Sequence, residues 1–205
     1  MHNYERRNIM LEHEIKTYTT LNKLAESNGT IIFGNTMDKE IPLCELKQAF
    51  GLQENLYNRS FTQLSIKDAM IAYDSCIAKL YPSCILIHLG EEDITYFEKS
   101  NSAFEQSYRK LIQHIKASSP KCTIGIITLK NTKNNSVITE LNKHLKYIAE
   151  SERVEFEDIS IHRVWNPTET KNVVSFIYST GFVHPLKGHR SIYDLVKILF
   201  RFMTV

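Results

Sequence analysis

The stretch CILIHLG, Cys84 to Gly90, decides the fold. It is apolar almost throughout, broken only by His88 before the closing Leu-Gly. A strand with one wet face alternates apolar and polar residues, whereas a strand covered on both faces reads as a continuous apolar run. The run therefore predicts an interior strand of a parallel sheet between two helical layers. CTIGIITL, Cys122 to Leu129, has the same character, and Thr30 to Phe33 begins TIIF and runs into Gly34. Shorter strands are predicted at Leu56–Asn58 and Val154–Ile159.

Helical periodicity fills the intervals. A short helix is expected near Leu43 to Phe50, stopping at Gly51. Ser65-Ile66-Lys67-Asp68 has a capping-box pattern, and a helix carrying Ile66, Tyr73, Ile77 and Leu80 should follow up to Pro82. Phe104, Tyr108, Leu111 and Ile115 mark a further helix ending before Pro120, and another spans about Val137 to Ser151. A long loop holds Trp165 and Pro167, and a final helix from about Lys187 carries Ile192, Leu195, Val196 and Leu199. Five strands, each followed by a helix, give a doubly wound α/β sheet with helices on both faces.

At the other end, Leu11, Ile15, Tyr18, Leu21 and Leu24 fall at helical spacing, and Gly29 is placed to end that helix as its C′ residue. The stripe packs either on the domain or on a second subunit, which leaves a homo-oligomer open. With no repeats, low-complexity blocks or Pro/Gly linkers, the economical reading is one domain over 1–205, with 1–28 as a helical extension packing on it.

Composition narrows the function classes. Apolar residues make up 42% of 205 residues and the formal net charge is +2, so no nucleic-acid partner or polybasic membrane patch is indicated. The opening MHNYERRNIMLEHEIK has no continuous apolar segment of a secretory signal, and no run approaches the ~20 apolar residues of a membrane span. The expected location is cytoplasmic. Cys44, Cys76, Cys84 and Cys122 form no CxxC pair; zinc would need closer ligands, and buried reduced thiols are the simpler reading of Cys84 and Cys122. No cofactor is indicated.

In doubly wound sheets ligands bind beyond the carboxyl ends of the strands. That rule selects Gly34-Asn35-Thr36, Asn58 to Gln63, Gly90 to Asp93, and the loop STGFVHPLKGHRSI before the last helix. Read in order, IIFGNT, NRSFTQ, LGEEDI and the His184-Pro185 loop resemble the four blocks of the SGNH, or GDSL-type, esterases and acylhydrolases, over most of the chain from about Thr30. The resemblance implies a three-layer α/β/α sandwich with a five-stranded parallel sheet in the order 2-1-3-4-5. It aligns Thr36 with the nucleophilic serine and Gln63 with the glycine whose backbone N–H faces the oxyanion. Glu92 aligns with the asparagine that donates its amide there, and His184 with the general base. Gly181 stands where the Asp orienting that base belongs.

Each departure has a chemical cost. Thr36 keeps a hydroxyl, but on a β-branched side chain of restricted χ1. Loss of the orienting carboxylate alone can cost about 10⁴ in rate. Loss of one oxyanion donor costs about 10²–10³, and an ionised Glu92 offers only acceptors. At Gln63 a backbone N–H can survive, but the side chain either fills the pocket or forces strain where glycine was permissive. The implied protein is an ester-hydrolase relative, of small acetylhydrolase-like type, with weak or absent conventional esterase activity. Two alternatives stand beside it: a pseudoenzyme binding an acyl ester, a carbohydrate or a protein partner, and a rearranged Thr36–His184–Glu92 hydrolase.

Plainer roles compete at single positions. The Thr36 hydroxyl could bond its loop, Asp93 could anchor its own, and Asn58 and Arg59 could close the second loop, with Asn35 beside the ligand. His88 reads as a hydrogen-bonded core residue. Trp165 either stacks on a sugar or packs under its loop. Glu91, Glu92, Asp93 and His184 lack any recognised metal spacing, so no metal is assigned.

Overall fold

The computed structural model describes residues 2–131 and 134–159, together with Ile192, Val196, Leu199 and Phe200. The predicted parallel sheet is present, with strands β1 (Thr30–Gly34), β2 (Leu56–Asn58), β3 (Cys84–His88), β4 (Thr123–Ile127) and β5 (Glu155–Glu157). All neighbours pair in parallel, in the order β2-β1-β3-β4-β5. The register sets Ile32 opposite Asn58 and Gly34 opposite His88, bringing the ends of β1, β2 and β3 together.

Alternation along the strands splits the core in two. Ile31, Phe33, Ile85, Ile87, Ile124 and Ile126 face one layer. That layer includes α5 (Asn101–Ser118) and α6 (Ser136–Glu152), which contribute Phe104, Tyr108, Leu111, Leu141 and Leu145. Ile32, Leu86 and Ile127 face the other, against Leu46 of α2 (Leu43–Phe50) and the helical positions Val196, Leu199 and Phe200. Burial of each such side chain contributes about 1.5–3 kcal/mol, which is why the apolar runs dominated the sequence pattern.

The strands are shorter than their apolar runs. Gly90, at φ 127°, turns the chain soon after β3. Leu129 lies beyond β4 because the Asn142 side chain of α6 takes both of its backbone groups, each at 2.8 Å. The amide replaces a neighbouring strand.

Three local expectations are corrected. Helix α1 (His2–Leu21) passes into a 3-10 turn at Asn22–Leu24. Leu11, Ile15 and Tyr18 pack on the first core, but Leu21 and Leu24 are 45% and 86% exposed. The left-handed residue after the turn is Asn28 (φ 64°), not Gly29. Gly29 is required by close approach instead: a Cβ there would lie 2.7 Å from the Asn55 carbonyl oxygen and the Tyr57 ring. Finally, Ser65 to Asp68 forms no capping box. Ser65 Oγ donates to the Asp68 carboxylate (2.8 Å), and α3 (Ala69–Ala72) begins afterwards, continuing as a π turn over Tyr73–Ile77 and a 3-10 turn over Ala78–Leu80.

A separate short helix, α4 (Ile94–Lys99), precedes α5, and Ser100 between them caps α5 by accepting the Ala103 N–H. No described helix is long and apolar enough to cross a membrane.

Candidate functional site

The chain leaves β1 at Gly34 and winds into a 3-10 turn over Met37–Glu40 that presents Thr36 to solvent. The turn is pinned from beneath by Asp38, which is fully buried. Its carboxylate oxygens lie 2.8 and 3.0 Å from His88 Nδ1, and Oδ2 accepts the Asn35 N–H at 2.9 Å. The carboxylate sits against Gly34, where a Cβ would fall 1.8 Å from Asp38 Oδ2. Asn35 is itself buried; its Oδ1 accepts the Met37 N–H, so it serves the turn. Half-buried Lys130 lies within electrostatic reach of Asp38, and burial holds its proton affinity below the usual lysine range. His88 is the hydrogen-bonded core residue expected from its strand. Its Nε2 is buried without a partner among the described residues, and its ring meets Phe200 edge-on.

The second loop reaches Thr36 by extending the β2 register. Arg59 N–H donates to the Ile32 carbonyl (2.8 Å), and Phe61 N–H to the Gly34 carbonyl (3.1 Å). Asn58 closes the loop as expected: Nδ2 donates to the Asp38 carbonyl (2.7 Å) and Oδ1 accepts the Ser60 N–H (3.0 Å). Farther along the same loop, Gln63 N–H donates to Thr36 Oγ at 3.0 Å. The Thr36 hydroxyl thus bonds its neighbouring loop. Gln63 holds φ 54°, a left-handed conformation that side chains rarely adopt. The strain anticipated at this position is present in the backbone.

The third loop is a 3-10 turn over Glu91–Asp93. Asp93 is buried and accepts the Ile66 N–H (2.9 Å), anchoring its loop to the second one. Burial pushes its carboxyl up to about 6, against the Ile66 bond and Arg7. Glu92 is exposed and has no hydrogen-bond partner among the described residues. Lost hydration raises its proton affinity, Glu91 adds like charge, and Arg7 opposes both.

Helix α1 closes the site from the side. Arg7 pairs with Asp68 (2.8 Å), and Tyr18 Oη donates to the Ser60 carbonyl while its ring packs on Phe61 edge to face at 5.1 Å. Arg59, stacked over Tyr18, donates twice to Asn22 Oδ1 (3.0 and 2.7 Å). Glu14, 8% exposed, accepts from Thr62 N–H (2.9 Å), from Thr62 Oγ (2.6 Å) and from Lys39 Nζ.

Thr36 and Gln63 are therefore brought into contact, with Asn35 and Asn58 bracing the turn between them. His184, Gly181, Trp165 and the start of the last helix near Lys187 lie outside the described residues. Sequence reading missed Asp38, Glu14, Lys39 and Thr62. Among the described residues no group of three or more His, Cys, Asp or Glu side chains could hold a metal ion. Cys76, Cys84 and Cys122 are thiols pushed up to about 12 by burial, and Cys44 is an exposed thiol.

Solved structures share this fold. A Streptococcus pneumonia protein provisionally assigned as a platelet activating factor superposes with a TM-score of 0.63 at 16% identity, over 81% of this chain and 82% of its own. A GDSL-like lipase from Bacteroides thetaiotaomicron gives 0.58 at 12% identity, over 82% and 97%. The fold is that of the SGNH/GDSL hydrolases. The acetyl xylan esterase AlAXEase shares this SGNH-type fold, with a TM-score of 0.56 at 12% identity over 85% of this chain and 96% of that one. No family model and no curated protein matches the chain.

Proposed function

We propose that this SGNH-fold protein binds a small acyl ester or O-acetylated carbohydrate in the cleft rimmed by Thr36, Gln63 and Glu92, without efficient acyl transfer. One observation carries the reading: the Gln63 N–H, aligned with the family's oxyanion donor, is spent on Thr36 Oγ, aligned with its nucleophile. A hydroxyl receiving that bond is made less nucleophilic, and the N–H is withdrawn from the oxyanion. Glu92, where the family has an amide donor, adds acceptors and negative charge at the rim. Asn35, Asn58 and Asp93 shape the cleft without entering the chemistry. The SGNH-fold esterases point to acyl and acetyl groups as the ligand class.

The test is turnover of p-nitrophenyl acetate and acetylated xylo-oligosaccharides. The native protein should stay within about twofold of a Thr36→Ala, His184→Ala double variant. Rebuilding the family pattern with Thr36→Ser, Gln63→Gly, Glu92→Asn and Gly181→Asp should raise turnover at least about 10²-fold. Native turnover more than about tenfold above the double variant would overturn the reading.

A second reading uses the exposed Glu92 carboxylate, which has no hydrogen-bond partner among the described residues, together with Thr36 and His184 in a rearranged hydrolase. Glu92→Gln would then abolish an activity the native protein possesses, whereas the first reading has Glu92→Asn leave or raise it.

A further inference from the structure

We propose that α1 is the positioning element of the Thr36–Gln63 contact and that Glu14 is its positioning residue. Glu14 reaches both arms of the site from a separate helix, whereas Asn58, which also bonds both, belongs to the second arm itself. On the first arm it accepts from Lys39 Nζ, and Lys39 belongs to the turn that follows Thr36, donating its backbone N–H to the Thr36 carbonyl at 3.3 Å. On the second arm it accepts both the N–H and the hydroxyl of Thr62, the residue joined directly to Gln63. Lys39 Nζ also donates to Thr62 Oγ (2.8 Å), closing a three-membered network across the two arms.

The network has a definite task. Gln63 is a non-glycine residue at φ 54° whose N–H must point at Thr36 Oγ 3.0 Å away. Such a conformation persists only where its surroundings over-determine it. The β1–β2 register fixes the loop as far as Phe61 N–H, which bonds Gly34, and the Ile66 N–H is next fixed by Asp93. Between those anchors, the Glu14 carboxylate on Thr62 holds the backbone directly before Gln63. Charge-assisted bonds of this kind are stronger than neutral ones, and Glu14 is shielded enough for them to count. The remaining contacts of α1, Tyr18 to Ser60 and Arg7 to Asp68, and that of Asn22 to Arg59 in the 3-10 turn after it, dock the helix independently. Glu14 can therefore be altered without undocking α1.

The inference rests on Thr36 and Gln63 forming the heart of the site, but its test reads no turnover, so an active esterase would leave it standing. Amide hydrogen exchange and ¹⁵N shifts are measured by NMR on the full chain and on Glu14→Ala, Glu14→Gln and Glu14→Met. In Glu14→Ala the Gln63 and Thr62 amides should exchange about tenfold faster, while Leu86 and Ile87 of β3 keep their native rates. Glu14→Gln, which retains an acceptor for Thr62 N–H, should restore most of the protection. Unchanged Gln63 exchange, or an acceleration matched in β3, overturns the proposal. If Glu14→Ala does not fold, Glu14→Met decides. It keeps a helix-forming side chain of similar length but removes the acceptor for Thr62 and Lys39, and a Gln63 amide exchanging at the native rate in that variant overturns the proposal.

Discussion

Gly34→Ala should be among the most damaging single-methyl additions in the site, and its damage should depend on Asp38. A Cβ at position 34 would lie 1.8 Å from Asp38 Oδ2, 2.5 Å from Cγ and 2.9 Å from Cβ. Because even Asp38 Cβ is crowded, rotating the carboxylate does not clear the clash. The whole side chain has to leave His88 Nδ1 and the Asn35 N–H. Losing the two hydrogen bonds of this buried carboxylate, at about 1.5–3 kcal/mol each, removes a large part of the ~5–15 kcal/mol stability of a domain. Asp38→Ala alone strands His88 Nδ1 and the Asn35 N–H, at about 1–3 kcal/mol for each group. In that background the added methyl meets only the remaining Cβ, and Gly34→Ala should cost about 1 kcal/mol or less after a small shift. The two substitutions should therefore couple by about 2–4 kcal/mol, far outside the ~0.5 kcal/mol of independent sites. Urea unfolding followed by circular dichroism, at constant m, measures all four corners of the cycle. If Gly34→Ala does not fold, the double variant should be the more folded of the two. Additivity within about 0.5 kcal/mol would refute the packing of Asp38 on Gly34.

Two further predictions concern the neighbouring loops. Asp93, with its carboxyl raised by burial to about 6 against about 3.9 when unfolded, binds more protons folded than unfolded between about pH 4 and 6. Stability should fall as pH rises through that window, by up to about 3 kcal/mol, and stay low above it. Asp93→Asn, whose amide oxygen still accepts the Ile66 N–H, should match the native protein near pH 4 and exceed it at pH 7.5; equal slopes in urea melts across pH 4.5–7 would refute this. Gln63→Gly should release about 1–2 kcal/mol of left-handed strain and return about 0.5–1 kcal/mol through the freer unfolded chain. The expected result is a small net gain of up to about 1 kcal/mol in chemical denaturation, and a clear loss would show that the Gln63 side chain contributes packing that outweighs the strain.

The sheet was legible because burial on both faces leaves an unbroken apolar run, and β1, β3 and β4 all carry one. Helix ends were less legible, since they depend on which groups arrive from elsewhere. Ser65 and Asp68 look like a capping box until Arg7, 61 residues before Asp68, draws on the Asp68 carboxylate. The resemblance placed Thr36 and Gln63 at one site, but not the hydrogen bond between them, which no local pattern could show because 27 residues and a strand crossing separate the two.

Two polar side chains on apolar patterns, Glu14 and His88, pointed to partners that the sequence pattern alone did not name. Glu14 stands three residues after Leu11 and four before Tyr18, on the same stripe that packs against the core. A charge there is buried by the helix phase itself and requires partners, which Thr62 and Lys39 supply. His88 interrupts a strand covered on both faces, directly opposite Gly34, which has no side chain to meet it. Its partner therefore had to come from outside the sheet, and the nearest carboxylate in the chain after Gly34 is Asp38. Gly34, Asp38 and His88 thus form one interlocking choice. The glycine makes room, the carboxylate fills it, and the histidine keeps that buried carboxylate hydrogen-bonded, fixing the turn that carries Thr36. This arrangement constrains the turn whether or not Thr36 acts on a substrate, because none of its bonds passes through the Thr36 hydroxyl.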